Sequence, residues 1–126
     1  MGLLLFFRKR MRNSWICDLR ISVNGATSQF RALIDTGNRL HEPLSGLPVI
    51  IAERQLIMDV LPDEGYRSVA YGGLGGNGVM KCFRPDFIWI SFGRKYRRAP
   101  DAYVAISPDG LPGVNRALAP VEFASL

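Results

Sequence analysis

The sequence predicts a small, mostly β, single domain, and three observations predict it. Apolar residues alternate with polar ones over short stretches, turn residues recur between those stretches, and helical periodicity is confined to one brief segment. "WICDLRISV" (Trp15 to Val23) alternates and runs into Asn24-Gly25, the strongest short hairpin signal, so a second strand is expected over Thr27 to Ile34. After a turn at Asp35-Thr36-Gly37-Asn38 and a loop with Pro43 and Gly46, "LPVIIA" (Leu47 to Ala52) reads as a short buried strand. "ERQLIMDVL" (Glu53 to Leu61) carries Leu56, Ile57, Val60 and Leu61 at the spacing of one or two helical turns, closed by Pro62.

Further strands are expected over Tyr66 to Gly73, in one or two pieces over Val79 to Gly93 around Pro85, and over Ala102 to Ser107. A last turn is expected at Val114 to Leu118. Short strands broken by frequent turns indicate a barrel or sandwich.

The 126 residues suffice for one core, and 48% hydrophobic with 21% charged residues excludes a disordered chain. The net charge of +5 is concentrated: Arg8 to Arg12 and Arg94 to Arg98 hold eight of the sixteen basic residues. Such clusters suit nucleic acid, an anionic membrane or an acidic protein. Sparse aromatic interleaving and the lack of a helix-turn-helix or zinc pattern argue against nucleic acid, so no nucleic-acid partner is expected. Cys17 and Cys82 form no CxxC, and with His41 the only histidine a metal site lacks ligands; both are read as buried free thiols in a reducing cytoplasm. No cofactor is expected. Leu3 to Phe7 is too short to span a bilayer, which takes about 20 residues, and its basic flank follows rather than precedes it, unlike a signal peptide. Residues 1–13 are therefore set apart as an apolar, basic, juxtamembrane-like stretch, and 14–126 as the domain.

Two motifs are weighed and set aside. "GLGGNG" (Gly73 to Gly78) has the letters of a dinucleotide fingerprint, but strand-forming Val79 to Phe83 follows it where a helix is needed. Gly72, Gly73, Gly75, Gly76 and Gly78 instead suit a hairpin tip, either an inert surface turn or a flap that closes over a substrate. His41 lacks a nucleophile motif to serve.

Asp35 is different. A carboxylate directly after the apolar Ala32-Leu33-Ile34, followed by Thr36 and Gly37, is the arrangement aspartic peptidases use: the strand fixes the acid and glycine lets N–H groups approach it. An ordinary Asx turn has the same letters. Peptide hydrolysis by this route needs two carboxylates sharing a proton, and the chain has one such motif, so two copies must meet in a homodimer.

"ALIDTGNRLHEPLSGLPVIIAE", "YRSVAYGGLGGNGVMKCFRPD" and "AYVAISPDGL…ALAPVEF" together resemble the catalytic half of the sporulation sigma-E factor-processing peptidase family, stage II sporulation protein GA. The resemblance runs from about Ile16 to Phe123. It implies a retropepsin-like half-barrel forming a two-fold symmetric dimer, with Asp35 as catalytic residue, Thr36, Gly37 and Asn38 as its motif neighbours, and the glycine hairpin as flap. It further implies a sigma factor precursor as substrate, a membrane-associated activator, and a site on the cytoplasmic side of the cell membrane, or in the cytoplasm if the chain stands alone. The family carries several transmembrane helices ahead of this half, and here only Leu3 to Phe7 could be a remnant. The rival expectation is a non-catalytic dimerisation or membrane-surface module derived from that fold.

Overall fold

A computed structural model of the chain describes residues 16–72, 77–108 and 117–125. The N-terminal stretch 1–13, the tip residues Gly73, Gly75 and Gly76, and most of the last turn expected at Val114 to Leu118 lie outside them. Strand β1 (Ile16–Val23) buries Cys17, Leu19, Ile21 and Val23 and turns its other residues outward, as its alternation requires. Asn24 and Gly25 both take positive φ, 51° and 85°, which only a tight hairpin with the twist of its flanking strands demands. The chain returns as β2 (Ala26–Ile34), in register from Val23 opposite Ala26 to Ile16 opposite Leu33.

The remaining strands are β3 (Val49–Glu53), β4 (Arg67–Tyr71), β5 (Gly78–Phe83), β6 (Phe87–Ser91), β7 (Arg97–Arg98), β8 (Tyr103–Ser107) and β9 (Ala117–Ala119). Between β3 and β4 lies one turn of helix, α1 (Arg54–Ile57), which tightens to a 3-10 turn at Met58–Val60 before Pro62. Among the described residues the strands form a single mixed sheet in the order β4-β5-β8-β3-β9-β2-β1-β6-β7.

Two expectations need correction. The strands do not form a sandwich or a closed barrel: β4 and β7 end the sheet on either side and do not pair with each other. Nor does Leu118 belong to a last turn. It lies in β9, which runs parallel to β2 and antiparallel to β3 and is inserted between them. A three-residue strand leaves too short a pattern to read, and Ala-Leu-Ala carries no β-branched or aromatic signal. The 3-10 turn follows immediately, over Val121–Ser125, with Phe123 fully buried.

The core lies on both faces of this sheet. The larger cluster gathers Leu19, Ile21, Phe30, Ile34, Ile50, Ile88, Ile90, Val104 and Phe123, with Ile57 and Val60 from the helical turns. Alternate residues of β3, β5 and β8, namely Val49, Cys82, Tyr103 and Ala105, join Val69 and Met80 in a second cluster on the opposite face. That is why "VIIA" and "YVAI" read as continuous apolar runs: the parallel pair β3/β8 is covered on both sides.

Ala117 and Ala119 are completely buried in the larger cluster. Ala117→Leu is therefore expected to destabilise the domain by about 1–3 kcal/mol through overpacking. Urea unfolding should show a lower midpoint with an unchanged slope.

Candidate active site

Asp35 directly follows β2, near the middle of the sheet. Its N–H donates to the Ala119 carbonyl at 3.0 Å, which extends the β2/β9 pairing by one residue and fixes the backbone from which the carboxylate projects. The Gly37 N–H donates to Asp35 Oδ1 at 2.9 Å, and the Asn38 N–H closes the turn onto the Asp35 carbonyl at 3.0 Å. Asp35 is half-buried, while Thr36 and Gly37 are exposed. A Cβ on Gly37 would stand 3.3 Å from Oδ1, so glycine here serves close approach to the carboxylate.

Asn38 braces the turn from beneath. Only 4% exposed, it donates through Nδ2 to the Val49 carbonyl at 2.8 Å and accepts from the Leu40 N–H at 3.3 Å, tying the loop to the start of β3. Three residues on, His41 contacts the Arg39 carbonyl through Nδ1 and Glu122 Oε2 through Nε2 at 2.9 Å. The segment 119–122 thus meets the aspartate loop twice, by Ala119 at the end of β9 and by Glu122 in the 3-10 turn. His41 is a tether in this arrangement.

The hairpin β4/β5 shares an apolar cluster with the aspartate loop. Leu40, from the aspartate loop, and Tyr71, at the end of β4, both pack against the second apolar cluster. At the hairpin's neck, a Cβ on Gly78 would collide with the Tyr71 ring and hydroxyl, and one on Gly72 would come within 2.6 Å of Asn77 Oδ1. These two glycines therefore let the neck close tightly. Gly73, Gly75 and Gly76 fall outside the described residues.

Glu42 went unnoticed in the sequence. Its side chain is 1% exposed and accepts from the Leu44 N–H (3.1 Å), the Ser45 N–H (2.7 Å) and Arg67 Nη1 (3.0 Å). Burial pushes its pKa up, but bonds with the Ser45 side chain, the Leu44 and Ser45 N–H groups and Arg67 outweigh burial and bring it down to about 2. A buried acid so well supplied with donors holds the 42–47 loop to β4. The only signal in "EPLSG" was an acid set among turn residues.

Both cysteines are buried and free. Burial, then the neighbouring Asp18, raises the Cys17 thiol to about 12; burial, then the Glu42 charge, raises Cys82 against an opposing effect of Arg67. Both stay protonated at neutral pH, and neither is a thiolate nucleophile. Among the described residues no three His, Cys, Asp or Glu side chains gather as a metal site, and no helix is long and apolar enough to cross a membrane.

Fold and turn together define a mostly β domain that presents a braced carboxylate near the middle of one mixed sheet. Residues 2–69, more than half of the chain and including the whole Asp35 turn, match the peptidase family described as sporulation factor SpoIIGA, and the chain belongs to that family. It is 26% identical over 111 residues to a protein of Clostridium acetobutylicum named probable sporulation sigma-E factor-processing peptidase, an alignment covering 85% of this chain and 41% of that protein. The chain thus spans about two fifths of the relative's length.

Glu42 generates a pH prediction. Its folded pKa lies below the ordinary value of 4.5, so the stability it contributes is complete above about 4.5 and is lost as pH falls toward 2. Urea unfolding across that window should show stability falling with pH in the native protein and a flatter profile in Glu42→Gln.

Proposed function

We propose that the chain is the catalytic portion of an aspartic endopeptidase, in which Asp35 from each of two chains meets across a two-fold axis. One Asp35 is ionised and takes a proton from a bound water; the other, protonated, donates to the scissile carbonyl as the water attacks. No covalent intermediate forms. The observation that carries this is the Asp35 turn itself: a half-buried carboxylate fixed at its own N–H by Ala119, oriented by the Gly37 N–H, and braced by Asn38. In this reading the hydroxyl of Thr36, which is exposed beside Asp35, hydrogen-bonds across the axis.

The substrate is a sporulation sigma factor precursor, from which the pro-sequence is removed. The name of the Clostridium relative supports this, as does membership of the family. The retropepsin-like half-barrel, the homodimer, a membrane-associated activator and a place on the cytoplasmic side of the cell membrane belong to the same proposal. The β4/β5 hairpin acts as the flap. It shares the second apolar cluster with Leu40 of the aspartate loop, so a peptide bound beside Asp35 can be sensed by the hairpin through packed side chains.

Asp35→Asn should leave urea unfolding almost unchanged and abolish cleavage of the precursor. Cleavage should also fall with roughly the square of protein concentration below the dimer dissociation constant, and excess Asp35→Asn chain should poison the native chain. Full cleavage by folded Asp35→Asn, with no poisoning, would return the domain to a non-catalytic role.

The flap generates a separate expectation. In Gly78→Ala the new methyl forces Tyr71 from its place, so kcat for precursor cleavage should drop at least tenfold while sedimentation still shows the native dimer. Unaltered kcat would make the hairpin a plain surface turn.

A further inference from the structure

We propose that the β6–β7 end of the sheet is a docking surface for an anionic lipid bilayer. A cleft of about 360 Å³ opens there, lined by Ile90, Phe92, Arg94, Lys95 and Arg97, so three cations and no carboxylate surround an apolar floor. The loop that builds it is held in shape. The buried Ser91 hydroxyl donates to the Arg94 carbonyl at 2.8 Å and accepts from the Gly93 N–H at 3.2 Å, while Gly93 takes a φ of 93°. Within this braced loop Phe92 is 42% exposed at the lip of the cleft.

Neighbouring acids are engaged with other cations: Asp101 pairs with Arg84 and Arg98, and Asp18 with Arg31. The cleft cations are thus left with a field that attracts anions. An aromatic ring held out among basic side chains is the composition of an interfacial membrane contact, with the ring entering the acyl boundary and the cations meeting headgroup phosphates. A peptide adding itself as a strand fits less well, since β7 offers an edge only two residues long. The direction of the chain agrees. Asp18 of β1 lies opposite Ser91, so β1 begins at the sheet end that carries this loop, and the chain before β1 leads away from the same end.

The test is co-sedimentation of the full chain with vesicles of phosphatidylcholine alone or mixed equally with phosphatidylglycerol. The native chain should bind only the mixed vesicles and lose binding as salt is raised. Each basic side chain near such a surface contributes a factor of about five, so the triple variant Arg94→Gln, Lys95→Gln, Arg97→Gln should partition roughly a hundredfold less. Phe92→Ser, which removes an exposed ring and leaves the core intact, should weaken binding roughly tenfold and keeps the test valid if the triple variant fails to fold. Equal partitioning of either folded variant overturns the proposal. So does binding of inorganic phosphate or a polyglutamate peptide without binding to the mixed vesicles.

Discussion

Everything in this sheet depends on three residues near the C-terminus. Without β9 the strand order separates into two four-stranded pieces, β4-β5-β8-β3 and β2-β1-β6-β7, with no ladder between them. Ala117 to Ala119 supplies backbone partners to β2 on one side and β3 on the other, and buried strands tolerate few unpaired backbone groups. The same insertion makes the candidate site, because the Ala119 carbonyl that completes the β2 ladder also receives the Asp35 N–H. Sheet continuity and carboxylate placement are a single constraint.

Around that seam the side chains divide the work by size and polarity. Alanine faces the large cluster because β9 is hemmed in by β2 and β3, and Phe123 then fills the space beyond the strand's end. On the other face the 38–47 loop lies against the second cluster and is fixed by polar contacts: Asn38 to Val49, Glu42 to its own turn and to Arg67. Loss of Arg67 would leave the buried Glu42 carboxylate with one donor fewer, whereas Arg67 itself is exposed to solvent. The loop after Asp35 is thereby joined to β3, β4 and the C-terminal turn at once.

Much of this was legible in the sequence, for reasons that can be stated. The β1/β2 hairpin was plain because Asn24-Gly25 has a specific backbone requirement and β1 alternates cleanly. Asp35 stood out because an acid at the end of an apolar strand is chemically conspicuous, and Gly37 because such an acid needs a close N–H. The pairing of strands was not legible. A sequence pattern reports which residues face a core and says nothing of which strand lies beside which, so β9 between β2 and β3 could not be inferred. β7 was hidden inside "RKYRR", where basic side chains mask a two-residue edge pairing. Glu42 was missed because its role arises from donors its own turn supplies and from Arg67, twenty-five positions away.

The bond between Asp35 and Ala119 also sets an order in time. A ribosome making this chain releases the aspartate turn long before the strand that anchors it, and during that interval β2 has one free flank. Long-range strand pairing is slow because the intervening chain must be ordered before the contact rewards it. A nascent domain therefore carries its acid without the backbone support that fixes it. Until β9 pairs with β2 and β3, the Asp35 turn lacks the backbone bond that holds it in the finished domain.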